Sequence, residues 1–464
     1  MPRLLCCLPL LLGSLLAPAA HGVSIRCPNI VLIMADDLGY TDLGCFGSRY
    51  YETPNIDRLA GEGMRLTNHH MCQNCAPTRA ALMSGQYGPR TGVYTVGGIR
   101  RFDWSMRPLR PVDNVTRLPL DLETIADRLK AAGYATGMFG KWHLGAGEQH
   151  HPASRGFDEA IVSAGRHLDF KTAPQVDHPE GEYLADFLTD KAVDFIERHQ
   201  QQDFFLYLPH FGVHSPYQAK QDLISKFQEK PPVDGHNNPT YAAMIASVDE
   251  SVGRVMQTLD RLGLAGDTLV IFVSDNGGVG GYVREGIKPR GDITDNAPLR
   301  SGKGSLYEGG TRVPMVVRWP GVTAPGTSCN TPTIHVDFYP TLLEVGMALA
   351  PDQPLDGESL APLLRDPAAR LERDAVFQHF PGYLGAGKNR WRTTPVSLIQ
   401  QGDWKLMEFL EDGRLELYNL VDDIGETNNL ASAKPDKAAE LLGRLKQWRE
   451  EIGAPMPTRQ TPQS

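Results

Sequence analysis

Four apolar segments of this chain each lead directly into polar residues, and this repeated pattern constrains the fold more than any other feature. The segments and the groups that follow them are 29–35 before Asp36 and Asp37, 135–139 before Lys141 and His143, 204–208 before His210 and His214, and 267–274 before Asp275 and Asn276. Continuous apolar runs are typical of parallel strands covered on both faces. In an open α/β sheet, ligands bind outside the carboxyl ends of the strands. The pattern therefore predicts that these side chains converge, although each alone also fits a turn cap, a solvated group or a buried histidine.

The segment 75–87 places a cysteine at the start of a predicted helix. Pro77 suits the first helical turn, residues 78–83 continue the helix, and Gly85 ends it. The first turn of a helix presents unpaired amides and the positive end of the dipole, so Cys75 and Arg79 together favour binding of an anion. From the residues alone, Cys75 is an activated thiolate, a modified nucleophile or a small apolar residue that packs in the core.

The remaining periodicity predicts an α/β domain followed by a smaller unit. Amphipathic helices are expected at 121–133, 183–199, 241–262 and 335–345, and their alternation with strands indicates a doubly wound sheet. After a change in composition near 350–374, short strands separated by glycine-containing turns predict a small antiparallel sheet, followed by a helix at 437–452. A chain of 464 residues that is 41% hydrophobic can bury a large core, and we expect a catalytic domain at 23–370 and a C-terminal subdomain at 371–464.

Five motifs, in order along the chain, together resemble those of type I sulfatases. They are the segment 28–37, Cys75-Ala-Pro-Thr-Arg79, Gly140-Lys-Trp-His-Leu-Gly145, Val273-Ser-Asp-Asn-Gly277, and Gly302-Lys-Gly304 with 307–312. The resemblance extends from about Asn29 into the C-terminal region. It implies an alkaline-phosphatase-like fold, in which helices enclose a large mixed, mostly parallel sheet and a small antiparallel sheet with one helix follows. The implied activity is that of a sulfuric ester hydrolase.

The resemblance also implies a nucleophile and a metal. Cys75 would be oxidised after translation to formylglycine, whose hydrate attacks the sulfate ester, so a formylglycine-generating enzyme is an expected partner during maturation. The implied metal ligands are Asp36, Asp37, Cys75, Asp275 and Asn276. Carboxylate and amide oxygens suit Ca²⁺ better than Zn²⁺, because no histidine pair at zinc-ligand spacing accompanies them.

The implied catalytic residues are Cys75, Arg79, Lys141, His143, His214 and Lys303. Arg79, Lys141 and Lys303 would supply positive charge to the hydrate and the sulfate. His214 and Lys303 would lie beside the ester oxygen, where a protonated side chain stabilises the departing alkoxide. His143 would take a hydroxyl proton and expel sulfate from the covalent intermediate, and Asp275 would assist deprotonation of the attacking hydroxyl.

The motif around the cysteine departs from the family at one position. Thr78 stands where the family usually has serine, so the hydroxyl is kept and a β-branch is added. Because the cysteine, proline and arginine of the motif are kept, we expect Cys75 to be converted. The neighbouring Cys72 also completes a Cys-x-x-Cys pattern, which leaves a redox pair open as an alternative.

The N-terminal residues predict export. Residues 1–22 combine an arginine at position 3 with an apolar segment and small residues, as in a cleaved secretory signal peptide. No later apolar run is long enough for a membrane helix, so we expect no stable membrane insertion. The expected product is secreted or periplasmic, or lysosomal or extracellular in a eukaryote. The net charge of -9 argues against a nucleic-acid partner.

The predicted substrate is a sulfated carbohydrate. An arginine-rich loop either lines the approach of an anionic sugar or is solvated surface, and it holds Arg100, Arg101, Arg107, Arg110 and Arg117. A second loop with His167, Asp169 and Lys171 either contacts the sugar or has no such role. An alternative function is hydrolysis of phosphate or phosphonate esters on the same fold. A third is binding without catalysis, against which the presence of every catalytic side chain argues.

Overall fold

The computed structural model describes residues 27–288, 290–387 and 390–460. The predicted signal peptide, residues 1–22, lies outside the described residues. Within these ranges, no helix has both the length and the apolar character needed to cross a membrane.

Strands and helices alternate through the first three quarters of the chain. The strands are β1 (Asn29–Ala35), β2 (Met64–His70), β3 (Leu109–Arg110), β4 (Ala135–Gly140), β5 (Glu159–Val162), β6 (Phe204–Pro209), β7 (Thr268–Ser274), β8 (Arg312–Arg318), β9 (Thr327–Cys329), β10 (Thr333–Ile334), β11 (Ala375–Phe380), β12 (Leu384–Gly387), β13 (Arg390–Thr393), β14 (Val396–Gln401), β15 (Trp404–Phe409), β16 (Leu415–Asn419) and β17 (Thr458–Arg459). The helices are α1 (Pro54–Glu62), α2 (Cys75–Ser84), α3 (Gly88–Thr91), α4 (Ile125–Ala131), α5 (Leu184–Arg198), α6 (Gln221–Gln228), α7 (Pro239–Arg261), α8 (Glu308–Thr311), α9 (Phe338–Val345), α10 (Ala361–Arg365) and α11 (Pro435–Glu451).

One large sheet contains nine strands, most of them parallel to their neighbours. Its order is β10-β2-β8-β7-β1-β6-β4-β5, and β9 also pairs with β2. Only β8 among these described strands runs antiparallel to its neighbours, which are β2 and β7. This is the mixed, mostly parallel sheet that the sequence predicts.

Helices cover both faces of the large sheet. Alternate side chains of a strand point to opposite faces, so Val31 and Ile33 of β1 pack in one core with α1, α5 and α7. Ile30 and Leu32 pack in the other core with α2, α4 and α9. Because β1 is buried on both faces, its continuous apolar sequence is explained.

The predicted helices are found with small differences at their ends. The largest difference is at α4, which begins only after Thr124, whereas the prediction began at 121. The Thr124 hydroxyl accepts a hydrogen bond from the Asp127 amide at 3.1 Å, and the Asp127 carboxylate accepts one from the Thr124 amide at 2.8 Å. This reciprocal cap sets the helix start at 125.

The C-terminal part is built on the predicted antiparallel sheet. Its order is β11-β14-β15-β16, and α11 packs on it through an apolar cluster that includes Leu441, Leu445, Ile399 and Leu406. A feature that the sequence analysis missed is the hairpin β12–β13, which lies between β11 and β14 in the chain. This hairpin reaches the cavity described below.

Candidate active site

The carboxyl ends of β7, β1, β6 and β4 lie side by side, as the strand order requires. Ala35 and Ser274 are partners in the parallel β1–β7 pair, so the residues that follow them meet. The Asp275 amide donates to the Ala35 carbonyl at 3.0 Å, and the Asp37 amide donates to Asp275 Oδ1 at 3.2 Å. The predicted convergence of polar groups at the strand ends is therefore present.

One of the strand-end histidines does not reach this cluster. His210 is fully buried, and its Nε2 shares a hydrogen bond of 2.9 Å with the Ser251 hydroxyl of α7. Burial lowers the pKa of His210 to about 4, so its ring is neutral. His210 is thus a core histidine with one hydrogen-bonded nitrogen, and its Nδ1 has no partner among the described residues, whereas His214 reaches the cavity.

Helix α2 presents Cys75 and Arg79 to the same place. Cys75 is the first residue of α2, and Gly85 ends the helix in the left-handed region with a φ of 69°. One turn after Cys75, the buried Arg79 donates from Nη2 at 2.8 Å and from Nε at 3.2 Å to Asp275 Oδ2. Its Nη1 donates to the Lys141 carbonyl at 2.7 Å. Arg79 therefore ties the end of β4 to the end of β7.

Thr78 is held by its hydroxyl on both sides. The oxygen accepts a hydrogen bond from the Cys72 amide at 2.9 Å, and the hydroxyl donates to the Asp275 carbonyl at 2.7 Å. Threonine thus supplies the same two bonds that a serine hydroxyl would supply. Cys72 and Cys75 are both free cysteines, and no disulfide joins them.

A cluster of oxygen atoms lies beside Cys75. The ligand atoms of Asp36, Cys75 and Asp275 all lie within 4.8 Å of one another, and so do those of Asp36, Asp37 and His214. Asp36 Oδ1 and Asn276 Oδ1 are buried and have no hydrogen-bond partner among the described residues. A buried polar atom without a partner is costly, and a hard dication would satisfy both oxygens.

The orientation of Asn276 also fits a cation. Its Nδ2 donates to Asp37 Oδ1 at 2.9 Å and to the Gly277 carbonyl at 3.0 Å, which leaves its Oδ1 free to act as a ligand. The donor set of carboxylate and amide oxygens is the one that Ca²⁺ prefers. The residues present therefore fit the predicted calcium site.

Positive side chains surround these carboxylates. Lys141 Nζ donates to Asp36 Oδ2, and Lys303 Nζ donates to Asp37 Oδ2 at 2.7 Å. Burial opposes ionisation of Asp36, but Lys141, His214 and Arg79 lower its pKa well below the usual value. Burial and the adjacent Asp36 instead raise the pKa of Asp275. A dication among these groups would favour the ionised form of both carboxylates.

The two predicted acid and base histidines line the cavity and differ in environment. His214 Nδ1 donates to the Ser215 carbonyl at 2.6 Å, and its Nε2 lies 3.7 Å from Asp37 Oδ2. His143 is in the left-handed region with a φ of 63°, and its buried Nδ1 has no partner in the described structure. Burial and the neighbouring Lys141 and Arg79 lower the pKa of His143 to about 3, so its ring is neutral.

Cys75 opens onto a cavity of ≈ 460 Å³. Its wall contains Lys141, His143, His214 and Lys303, which the sequence analysis predicted, together with apolar side chains that include Val96 and Phe211. Burial raises the pKa of the Cys75 thiol, although Lys141 and Lys303 oppose this, so the unmodified thiol is neutral. Of the other predicted residues, Arg79, Asp36 and Asp37 each hydrogen-bond to a residue that lines this cavity.

The arginine-rich loop reaches the cavity at one position. Arg101 lines the wall. Arg107 instead pairs with Glu411, Arg110 pairs with Asp113 at 3.0 Å, and Arg100 and Arg117 are exposed away from the cavity lining. Of the five arginines, one therefore lines the cavity, and a role of the other four in the approach of the sugar stays a prediction.

The loop with His167, Asp169 and Lys171 does not contribute to the cavity wall. His167 is buried, and its Nε2 donates to the His214 carbonyl at 2.7 Å. Neither Asp169 nor Lys171 lines the cavity. His167 thus holds the segment that carries His214 and is not itself part of the cavity wall.

The sequence analysis missed the contribution of the β12–β13 hairpin. Leu384 and Arg392 from this hairpin line the same cavity. Nothing in the local sequence distinguishes Arg392 from the exposed arginines, because its position depends on how the C-terminal sheet docks. The same docking buries Lys405 against Glu308 and Glu426, at 2.8 Å from each.

Comparisons with known protein families agree with this geometry. A family model described as Sulfatase matches residues 28–346. A second model, described as N-sulphoglucosamine sulphohydrolase, C-terminal, matches residues 302–452. Together they cover both the strand-end cluster and the C-terminal sheet.

Individual proteins show the same relationship. A protein named Sulfatase from Formosa agariphila is 35% identical over 512 residues, covering 92% of this chain and 90% of that protein. Steryl-sulfatase of Mus musculus is 32% identical over 458 residues, covering 80% of this chain and 70% of that protein. The crystal structure of Ps i-CgsB in complex with k-i-k-neocarrahexaose superposes with a TM-score of 0.76 at 28% identity, covering 91% of this chain and 93% of that one.

Proposed function

The chain belongs to the sulfatase family and is a sulfuric ester hydrolase, and on that premise we propose that it removes sulfate from a sulfated carbohydrate by means of a formylglycine made from Cys75 and a bound Ca²⁺. The observation that carries this proposal is the position of Cys75. It lies at the start of α2, in the wall of the cavity, and within 4.8 Å of ligand atoms of Asp36 and Asp275.

The proposed calcium ligands are Asp36, Asp37, Asp275, Asn276 and the modified Cys75. The buried, unpartnered oxygens of Asp36 and Asn276 support this assignment. Bound there, calcium would polarise a sulfate oxygen, and the hydrated aldehyde would supply the attacking hydroxyl. A formylglycine-generating enzyme is the proposed partner that makes the aldehyde.

The positive side chains have complementary roles in this proposal. Lys141 and Lys303 place ammonium groups on the two sides of the cluster, where they balance the charge of a bound sulfate. Arg79 keeps Asp275 in place through two hydrogen bonds.

Proton transfer is assigned to two histidines and a lysine. His214 Nε2 and Lys303 Nζ lie beside Asp37, where a protonated side chain stabilises the departing alkoxide of the sugar. The Nδ1–H of His214 is directed to the Ser215 carbonyl, so Nε2 is the nitrogen that exchanges the proton. His143 is the proposed acceptor of a hydroxyl proton, because it lines the same cavity as Cys75.

The carbohydrate substrate is supported by the cavity and by the structural comparison. The cavity is large enough for a sugar ring and is lined by cations. Ps i-CgsB, a similar structure, holds a neocarrahexaose.

We also propose export after cleavage of a signal peptide, residues 1–22. The remaining chain would form a catalytic domain at 23–370 and a C-terminal subdomain at 371–464.

Peptide mass spectrometry tests the nucleophile. The peptide that contains Cys75, from protein co-produced with a formylglycine-generating enzyme, should show loss of the thiol and gain of a carbonyl oxygen. Sulfate release from nitrophenyl sulfate and from defined sulfated saccharides should require this modification and be absent in Cys75→Ala. An intact thiol in fully active protein would contradict the proposal.

A parallel assay separates sulfate from phosphate chemistry. Nitrophenyl phosphate and a phosphonate monoester serve as matched substrates with the same leaving group. We expect the sulfate ester to be the preferred substrate by kcat/KM. A preference for either phosphorus ester would instead favour the alternative function. The crystal structure of Phosphonate Monoester Hydrolase of Agrobacterium radiobacter shares the fold, with a TM-score of 0.66 at 20% identity.

A further inference from the structure

Two arginines in the cavity wall carry positive charge that no carboxylate balances. Arg101 and Arg392 both line the cavity that contains Cys75. The other lining cations, Lys141 and Lys303, are paired with Asp36 and Asp37. Across residues 27–288, 290–387 and 390–460, neither arginine has an ion-pair partner, and no aspartate or glutamate lines this cavity. The wall therefore retains an unbalanced charge of two guanidinium groups.

Arg392 is held in a fixed position beside Lys303. Its guanidinium carbon lies 4.8 Å from the centroid of the Tyr282 ring, and the Tyr282 hydroxyl donates to the Lys303 carbonyl at 2.5 Å. Its side chain also lies against Gly304, where an added Cβ would be 2.9 Å from Arg392 Cδ. The Nε atom is buried without a hydrogen-bond partner in the described structure. Within the described residues the Arg392 guanidinium makes no side-chain hydrogen bond or ion pair, and the residue lines the cavity, so its terminal nitrogens keep donors for a ligand.

Arg101 is held on a different wall of the cavity. Its Nη1 donates to the Val96 carbonyl at 2.8 Å, and its guanidinium carbon lies 5.2 Å from the centroid of the Phe102 ring. Phe102 in turn packs against Gly385 of β12, where an added Cβ would be 2.6 Å from Phe102 Cδ1. The loop that carries Arg101 is thus docked on the hairpin that carries Arg392.

The two guanidinium groups influence each other. Burial lowers the pKa of Arg101, the nearby Cys75 opposes this, and Arg392 lowers it further. Arg392 is half-buried and Arg101 is exposed, and an anion near both guanidinium groups would be attracted by the two positive charges. Planar guanidinium groups also match sulfate and carboxylate oxygens with paired hydrogen bonds.

From these contacts we infer that Arg101 and Arg392 form a second anion subsite, which selects sulfated sugars that carry a further sulfate or carboxylate group. The inference rests on the proposed function, because the first sulfate is taken to lie beside Cys75. Binding of the second anion would orient the sugar, so the subsite determines specificity and takes no part in the chemical step.

The preference for substrates with two anionic groups over a substrate with one tests the subsite directly. The substrates are nitrophenyl sulfate, which has one anionic group, a disulfated saccharide, and a sulfated uronic acid. Arg101→Ala and Arg392→Ala should each lower the ratio of kcat/KM for a two-anion substrate to that for nitrophenyl sulfate by about 10-fold or more, chiefly through KM. Arg392→Lys should recover part of the ratio, since it keeps the charge but loses the paired hydrogen bonds.

Arg100→Ala is the matched control. The substitution removes one positive charge from the same loop, and Arg100 does not line the cavity. Its selectivity ratio should equal that of the unaltered protein, and melting temperatures identify any variant that is misfolded. A ratio unchanged in both cavity variants, or lowered equally by Arg100→Ala, overturns the subsite. A decrease confined to the disulfated or the uronic acid substrate supports it and identifies which anion is bound.

A binding measurement separates this inference from the proposed function. Calorimetric titration of the disulfated saccharide and the sulfated uronic acid into the Cys75→Ala protein needs no turnover. When Arg101→Ala or Arg392→Ala is added to this protein, the affinity for at least one of the two saccharides should fall by about 10-fold. That affinity should also depend less on the salt concentration. Weaker binding without sulfate release from any substrate would reject the proposed function alone. Unchanged affinities for both saccharides would reject the subsite.

Discussion

Replacement of Thr78 by valine tests whether one buried hydroxyl holds α2, which carries Cys75, against the end of β7. Thr78 is fully buried, and its hydroxyl joins the Cys72 amide, at 2.9 Å, to the Asp275 carbonyl, at 2.7 Å. Valine has nearly the same shape, so the substitution removes two hydrogen bonds without creating a large cavity. The Cys72 amide and the Asp275 carbonyl would then both lose this partner.

The expected cost follows from those two groups. A buried backbone donor or acceptor left unsatisfied costs about 1–3 kcal/mol, so Thr78→Val should lower the free energy of unfolding by about 2–4 kcal/mol after some local relaxation. Thr78→Ser keeps the hydroxyl and loses only one buried methyl group. That loss costs about 1 kcal/mol.

Urea unfolding of the two variants and the unaltered protein measures this difference. Activity on nitrophenyl sulfate, corrected for the fraction of Cys75 converted, should fall more in Thr78→Val than in Thr78→Ser, because Asp275 loses a tether. Equal unfolding free energies for the valine and serine variants would refute the role assigned to the hydroxyl. A lower activity caused only by poor conversion would place the effect in maturation instead of in the folded site.

Three further predictions concern the metal, a buried ion pair and pH. Calcium at about 100 times its dissociation constant should stabilise the protein by about 2.7 kcal/mol in thermal unfolding, and Asn276→Leu should remove most of that gain. Lys405→Met leaves the buried Glu426 without a cation, while Glu308 keeps Arg312 at 3.3 Å, and should cost about 3 kcal/mol in urea unfolding, whereas Lys437→Met at an exposed ion pair should cost less than about 1 kcal/mol. Burial raises the pKa of Asp249 from 3.8 to about 6, so the folded state holds its proton longer than the unfolded state. Unfolding free energy should therefore fall by about 2 kcal/mol between about pH 4 and pH 6 relative to Asp249→Asn, and equal slopes would contradict this.

The strand-end cluster was predictable because its local pattern and its tertiary position have the same cause. A strand buried on both faces needs a continuous apolar sequence, and the first polar residues after it must lie at the edge of the sheet. Since Ala35 and Ser274 are in register, Asp36 and Asp275 meet without further information. The helix start at Cys75 was predictable for a similar reason, because a proline in the first turn and a glycine at the end are local features.

Backbone conformation within the cluster was not predictable from the same pattern. Asp37 and His143 have φ values of 69° and 63°, in the region that non-glycine residues rarely adopt. Tertiary contacts hold Asp37 there, since its amide donates to Asp275 Oδ1 and its carbonyl accepts from the Tyr241 hydroxyl at 3.1 Å. Such strain is imposed by the assembled fold and concentrates at functional sites.

The contribution of the C-terminal sheet to the cavity was also missed, because it depends on docking between distant parts of the chain. The same docking holds the segment that carries the nucleophile. Tyr87, just after α2, packs edge-on against Trp448 of α11 with ring centroids 5.4 Å apart. The Gln378 side chain donates to the Met71 carbonyl at 3.2 Å, and the Glu308 amide donates to a Glu426 carboxylate oxygen at 2.7 Å. These contacts anchor both flanks of the segment that contains Cys75.

The proposed boundary at 370 therefore separates the large sheet from the C-terminal antiparallel sheet, but residues from both sides of it contribute to one cavity. Arg392 brings the C-terminal sheet into the cavity wall, and Lys405 Nζ donates to the Leu306 carbonyl at 2.9 Å, three residues after Lys303. A shift of this sheet would displace Arg392 and the loop of Lys303 together. The proposed anion subsite and the proposed catalytic role of Lys303 would thus depend on the same packed interface, so we expect a fragment that ends at residue 370 to lack part of the cavity wall.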